Sequence, residues 1–146
     1  MDTSETYVKM CEKAEEIQKK WKPKSGDYCF GKCVRHCGDL VSEPEVYRFA
    51  PLDDDCWYES IPVGWDYDKW EEKTDSIWLP TQDQFQQMVR PEKRSHWYLV
   101  ELFANWCVAQ KKDIPFAFYS MEQLWLAFVM KQRWNKSWNG ENWVAV

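Results

Sequence analysis

The spacing of apolar residues changes twice along this chain, and these changes limit the folds it can adopt. From about Ser4 to Trp21, apolar side chains recur at helical spacing, which predicts an amphipathic helix. From Asp27 to about Ile61, a sequence rich in Tyr, Phe, Val and Trp is interrupted by turn residues, which predicts short antiparallel strands. Helical spacing returns after Pro80. The sequence therefore predicts an α+β fold in which a small antiparallel sheet packs against about four helices.

One domain is expected, because a chain of 146 residues falls within the usual range for a single hydrophobic core. Its predicted parts are an N-terminal helix at 1–22, a β-rich part with an acidic aromatic loop at 27–80, a helical part at 81–138, and a C-terminal turn and strand at 139–146. Within the β-rich part we expect a meander. Its predicted second, third and last strands are "EVYRF", "CWYESI" and "SIWLP".

Capping signals place the C-terminal helices. Thr81 precedes Gln84, and Ser120 precedes Gln123, with the spacing of a capping box at a helix start. Between them we predict a helix over Ser95–Lys112. Its inward residues are expected to be Leu99, Leu102, Phe103, Trp106 and Ala109.

The sequence predicts a cytosolic protein that does not enter a membrane. The opening "MDTSETYVKM" lacks the basic and then apolar segments of a signal peptide. The longest apolar run, "LWLAFVM", is much shorter than the roughly 20 residues that cross a bilayer. In the cytosol the six cysteines should be reduced.

Negative charge is concentrated in one segment. Residues 51–80 carry nine acidic and two basic side chains, while the chain as a whole has a net charge of −5. Five large aromatic rings, between Trp57 and Trp70, are mixed into the acidic part of this segment. Tyr and Trp are enriched where proteins bind partners. We therefore predict a surface that binds a protein with a basic face, although the rings could instead fold back over the sheet. The predicted partner-binding residues are Asp53, Asp54, Asp55, Trp57, Tyr58, Trp65, Asp66, Tyr67, Asp68 and Trp70.

The stretch "YCFGKCVRHCGD" contains the residue types of a metal site. Cys29, Cys33 and Cys37 are spaced C-x3-C-x3-C, with His36 beside the last. On one strand, fourth neighbours would stand about 13 Å apart, too far to share a metal. Structural zinc sites use tighter pairs of ligands on separate turns. We therefore expect no metal or cofactor, and interpret the cysteines as small apolar residues of the core.

Several other classes of function find little support in the sequence. The chain has two histidines, His36 and His96, and lacks the phosphate-binding and metalloprotease motifs. Its negative charge makes direct nucleic-acid binding unfavourable. The surplus of rings is compatible with self-association, or with a pocket that stacks a nucleotide-like small molecule. Candidate phosphate clamps for such a pocket are Arg35, Arg48, Arg90 and Arg94.

Three stretches carry a resemblance: "YVKMCEKAEEIQKKWKPKSGDY", "SIWLPTQDQFQQMV" and "SMEQLWLAFVMKQRWNKSWNGENWV". Together they resemble small uncharacterised proteins encoded by phages and prophages of Gram-positive anaerobic bacteria. The resemblance leaves out residues 29–75 and implies no catalytic or binding residue. It implies an accessory gene expressed in a bacterial cytosol.

The function predicted from these observations is non-catalytic. We expect a phage or mobile-element accessory protein that binds and modulates a host protein through its acidic aromatic surface, as an anti-defence inhibitor does. The first alternative is a sponge that captures a nucleotide-like small molecule in an aromatic pocket, and an unrecognised enzyme is the second.

Overall fold

The computed structural model describes residues 1–22, 24, 26–31, 33–34, 44–48, 61–62, 76–90, 95–110 and 118–146, which contain helices and antiparallel strands. The predicted α+β class is confirmed. Two compact units are formed, one by residues 1–14 and 80–146 and the other by residues 15–79. The helices are α1 (Glu5–Lys13), α2 (Glu15–Gln18), α3 (Gln82–Val89), α4 (His96–Gln110) and α5 (Met121–Trp134). The strands are β1 (Tyr28–Gly31), β2 (Cys33–Val34), β3 (Glu45–Arg48), β4 (Ile61–Pro62), β5 (Ile77–Leu79), β6 (Lys136–Trp138) and β7 (Trp143–Ala145).

The predicted N-terminal helix is interrupted. Ser4 caps α1 at the predicted helix start, because its hydroxyl accepts a hydrogen bond from the Tyr7 amide at 3.2 Å. Ala14 then leaves the helical conformation, with φ −84° and ψ 61°, and its amide bonds to the Cys11 carbonyl. The prediction of one helix from about Ser4 to Trp21 is wrong at this point, since α2 is a separate short helix.

The sheet of the second unit has β1 at its centre. β3 and β5 flank it, both antiparallel, and Cys29 lies between Tyr47 and Trp78. β2 and β4 form a separate antiparallel pair. The predicted strands "EVYRF" and "SIWLP" are present as β3 and β5, but the strand order is not that of the meander we predicted. Of "CWYESI", only Ile61 lies within the described residues.

In the first unit, α5 supplies much of the core. Six consecutive residues of this helix, 125–130, are buried, and Phe85 of α3 is also buried. The Thr81 amide donates to Gln84 Oε1 at 2.8 Å, as the predicted capping box requires. Near the C-terminal end of α3, Arg133 Nε of α5 donates to the Met88 carbonyl at 2.8 Å. This hydrogen bond joins the C-terminal ends of the two helices.

The ends of α5 follow local sequence signals. The Ser120 hydroxyl accepts a hydrogen bond from the Gln123 amide at 3.1 Å, which confirms the predicted cap. Asn135 ends the helix in the left-handed conformation, with φ 52°. The predicted turn at Asn139-Gly140 then connects β6 to β7. The Trp143 indole donates to the Met10 carbonyl at 2.9 Å, so this hairpin is joined to α1.

Candidate interaction surface

The inner side of α4 is a cluster of aromatic rings. Phe103 stacks on Trp125 of α5, with ring centroids 3.9 Å apart and planes within 4°. Trp106 packs on Phe128 at 5.4 Å, and Phe128 also meets Phe103 edge to face at 5.3 Å. Leu99 is buried on the same side of the helix. These contacts fix which side of α4 faces inward.

Two indole groups of this cluster lack hydrogen bonds. The Nε1 atoms of Trp106 and Trp125 are buried, and neither has a partner. A buried N–H without an acceptor costs about 1–3 kcal/mol, because it gives up its hydrogen bond to water. The aromatic packing between α4 and α5 therefore leaves two buried N–H groups without hydrogen bonds, which lowers the stability that this packing provides.

The opposite side of α4 is apolar and exposed. Trp97 is 76% exposed, Val100 52% and Val108 65%, and Ala104 between them is also exposed. Large apolar side chains clustered on one exposed helix face mark an interaction site more often than scattered ones do. We call the set Trp97, Val100, Ala104 and Val108 the α4 face. It is the clearest candidate interaction surface among the described residues.

The sequence analysis did not find the α4 face. It predicted Ala109 as an inward residue, but Ala109 is exposed. The signal available in the sequence is that α4 has apolar residues on nearly every side, with His96, Glu101, Asn105 and Gln110 as its polar residues. Such a helix is normally buried all round, so exposure of one side requires an explanation.

The ten predicted partner-binding residues, from Asp53 to Trp70, lie outside the described residues. The same holds for His36 and Cys37 of the cysteine-rich stretch. Cys29 lies in β1 and is fully buried, while Cys33 lies in the separate strand β2. Burial of Cys29 agrees with its interpretation as a core residue. Within the described ranges, no cluster of three or more acidic, histidine or cysteine side chains could hold a metal ion.

The described thiols outside the sheet are not activated. Burial raises the pKa of the Cys11 thiol far above its ordinary value, and the neighbouring Tyr7 hydroxyl offsets this only in part. Burial likewise raises the pKa of Tyr7, whose hydroxyl donates to the Pro80 carbonyl. Partial burial also raises the pKa of Cys107 on α4. Because a nucleophilic cysteine needs a lowered pKa, these groups have the opposite of what catalysis requires.

Aromatic and polar contacts join distant segments of the second unit. Trp21 stacks on Trp78 with centroids 5.9 Å apart, and its indole donates to Asp27 Oδ2 at 2.9 Å. The Gln18 amide pairs with both the backbone N–H and the carbonyl of Trp78 at 3.0 Å. Arg48, a candidate phosphate clamp, lies over the Tyr28 ring at 5.6 Å. These contacts hold α2 and the following turn against the sheet.

Comparisons with family models, with curated proteins and with solved structures found no match to this chain. None of the helices in the described ranges has the length and apolarity that crossing a bilayer requires.

Proposed function

We propose that this chain is a non-catalytic accessory protein of a phage or mobile element that acts in the bacterial cytosol. It binds a host protein with a basic surface and modulates that protein, as an anti-defence inhibitor does. The observation that carries the proposal is the concentration of nine acidic and two basic side chains in residues 51–80, with aromatic rings among them. Carboxylates steer the encounter with a basic partner, and aromatic rings supply binding energy once they are buried.

The ionisation of three buried or partly buried side chains is compatible with binding and gives no support to covalent catalysis by these groups. Cys11, Cys107 and Tyr7 all have raised pKa values because they are buried to different extents. At neutral pH these groups stay protonated, and a protonated thiol or phenol is a poor nucleophile. None of the three is therefore activated as a nucleophile.

The test compares two variants with equal loss of charge. The first replaces five aspartates of the acidic segment with asparagine, at Asp53, Asp54, Asp55, Asp66 and Asp68. The matched control neutralises five exposed acids elsewhere in the chain, at Glu5, Glu12, Glu15, Asp83 and Glu141. Each tagged protein is used as bait in lysate of a Gram-positive anaerobe, and bound proteins are compared by quantitative mass spectrometry.

The expected result is a host protein that the wild type and the control both retain and the segment variant loses. That protein is then purified, and its affinity for all three chains is measured by calorimetry. Removing five carboxylates should weaken the association by at least about tenfold, because charge pairs at such surfaces contribute to partner choice. Equal retention by the segment variant and the control would contradict the proposal.

Capture of a small ligand is the second candidate function, and one observation favours it. Trp106 and Trp125 present buried N–H donors without partners, which a flat molecule with acceptor atoms could satisfy. The close stacking of Phe103 on Trp125 means that such a molecule must displace a ring contact. Native mass spectrometry of the protein purified from bacterial lysate tests this candidate. A bound mass of a few hundred daltons supports it, and a bare chain contradicts it.

A further inference from the structure

The α4 face contains a regular ridge. Val100, Ala104 and Val108 are spaced four residues apart, so they form one row along the helix surface, and all three are exposed. Trp97 extends the same face towards the start of the helix and is 76% exposed. Rows of this spacing are the ones that interdigitate in the commonest class of helix packing. The surface thus has the form of one half of a helix–helix interface.

The order of side chains along the ridge is the same from either end. A valine lies on either side of Ala104 at equal spacing. If two copies of α4 cross in opposite directions at Ala104, Val100 of one copy opposes Val108 of the other, and each Ala104 meets its counterpart. A two-fold interface requires this property, since the same patch must complement itself. The small central residue also allows the two backbones to approach closely.

The charges of α4 permit this pairing. The helix contains no lysine or arginine, and Glu101 is its single acidic residue. Glu101 lies beside the ridge, three positions before Ala104, so its two copies would fall on opposite sides of the crossing point. At a rise of 1.5 Å per residue they would be about 9 Å apart along the helix axis. Two copies can therefore meet without bringing like charges into contact.

The exposed area suits a small, reversible interface. Trp97, Val100 and Val108 are each more than half exposed. An aromatic side chain can bury about 150–250 Å², so the four side chains of the α4 face offer roughly 350 Å² of apolar surface. Two copies would bury roughly 700 Å² of apolar area. A standard interface buries about 1,600 Å² in total, a little over half of it apolar, so the face provides most of the apolar share.

We propose that the α4 face joins two copies of this chain in a reversible two-fold dimer centred on Ala104. The dimer rests on the geometry of α4 and is independent of the host partner proposed above. We expect this association to be weak, because an interface of this size lies at the low end of the range for specific complexes.

Sedimentation velocity of the full chain tests the dimer first. Between about 1 and 200 μM, a range that brackets micromolar dissociation constants, the weight-average mass should rise from 17.7 kDa towards twice that value. A mass that stays at 17.7 kDa throughout would overturn the proposal. Growth beyond two chains would also overturn it, since a two-fold interface closes on itself.

A matched pair of substitutions on one helix locates the interface. Ala104→Glu introduces a charge at the centre of the ridge, and Ala109→Glu introduces the same charge at an exposed position off the ridge. The first should weaken dimerisation by at least about tenfold, because two carboxylates would meet in an apolar contact. The second should leave it within about twofold. Circular dichroism checks that both variants remain folded. Equal dimerisation by the two variants contradicts an interface at the ridge.

A mixing experiment tests the two-fold centre itself. Only the residue at the centre meets its own counterpart, so Ala104→Glu and Ala104→Lys should each be monomeric alone but should pair when mixed, because opposite charges then meet. Native mass spectrometry distinguishes the mixed dimer from either homodimer by mass. If the mixture forms no mixed dimer, Ala104 does not lie on the two-fold axis and the proposal is wrong, even if each variant alone is monomeric.

Discussion

At the scale of single residues, Asp2 links two helix starts. Its carboxylate accepts hydrogen bonds from the Ser4 amide at 2.8 Å, the Ser120 hydroxyl at 2.5 Å and Gln123 Nε2 at 2.8 Å. Burial raises the pKa of Asp2, but these bonds to the ionised form outweigh burial and lower the pKa below its ordinary value. Ser4 precedes α1 and Ser120 precedes α5, so one carboxylate connects segments far apart in the chain.

Asp2→Asn should therefore change the pH dependence of stability. A lowered pKa in the folded state means that the ionised carboxylate stabilises the fold above its unfolded pKa of about 3.9, and that this contribution disappears as pH falls through the folded pKa. Asparagine does not titrate. We expect a loss of about 1 kcal/mol at pH 7 that shrinks towards zero in acid, measured by urea unfolding.

Glu12→Gln is the control for Asp2, since it removes an exposed carboxylate from α1. It should leave the free energy of unfolding within about 0.5 kcal/mol of wild type across the range. If Asp2→Asn lowers the free energy of unfolding by the same amount at pH 7 and pH 2, the negative charge of Asp2 does not contribute to stability, and the prediction is wrong.

The unpaired indole of Trp106 leads to a second prediction at this scale. Trp106→Phe removes some packing but also removes a buried donor without an acceptor, so the two effects should cancel to within about 1 kcal/mol. Trp21→Phe is the matched comparison, because the Trp21 indole does donate, to Asp27 at 2.9 Å. Trp21→Phe should lower the free energy of unfolding by about 2 kcal/mol, because it removes a hydrogen bond to a carboxylate. A larger loss for Trp106→Phe than for Trp21→Phe, measured by thermal unfolding, would refute this account.

At the scale of elements, α4 packs against α5 through one of its sides. Phe103 stacks on Trp125 and meets Phe128 edge to face, while Trp97 on the other side is exposed. Phe103→Ala should therefore cost about 3 kcal/mol of unfolding free energy, near the lower end for truncation of a packed ring. Trp97→Ala truncates a larger ring on the same helix and should cost less than about 0.5 kcal/mol.

Both free energies are to be measured by denaturant unfolding at about 1 μM, the lowest concentration of the sedimentation series, so that dimer formation contributes least. Phe103→Ala and Trp97→Ala lie in the same helix, so they differ mainly in the side of α4 that they change. Similar losses for the two variants would mean that the α4 face is packed in solution, and that it is not a surface available to a partner.

The elements that the sequence predicted well are those specified locally. Ser4 and Ser120 mark helix starts by hydrogen bonds within a few residues, and each lies at or near the start that the sequence predicted. The central position of β1 and the exposed side of α4 depend on contacts between distant segments. Periodicity identifies apolar residues, but it does not show which apolar side of α4 meets α5. The break at Ala14 had no glycine or proline to signal it.

At the scale of the whole molecule, two surfaces of opposite character are proposed for two kinds of partner. The acidic segment at 51–80 has a net charge of −7, whereas α4 contains one acidic residue and no lysine or arginine. Binding through opposite charges weakens with salt, because the Debye length falls to about 3 Å at 1 M. Burial of apolar area has no such dependence, and excluded salts such as sulfate strengthen it.

The two associations should therefore separate in a salt titration. Raising sodium chloride from about 0.05 to 1 M should weaken binding to the host protein by at least about tenfold, while the dimer constant from sedimentation stays within about threefold. Sodium sulfate should strengthen the dimer further. A dimer that dissociates in 1 M salt would mean that charged residues join the two copies, and would contradict an interface held by the apolar α4 face. A host complex indifferent to salt would remove the acidic segment from its interface while leaving the dimer unaffected.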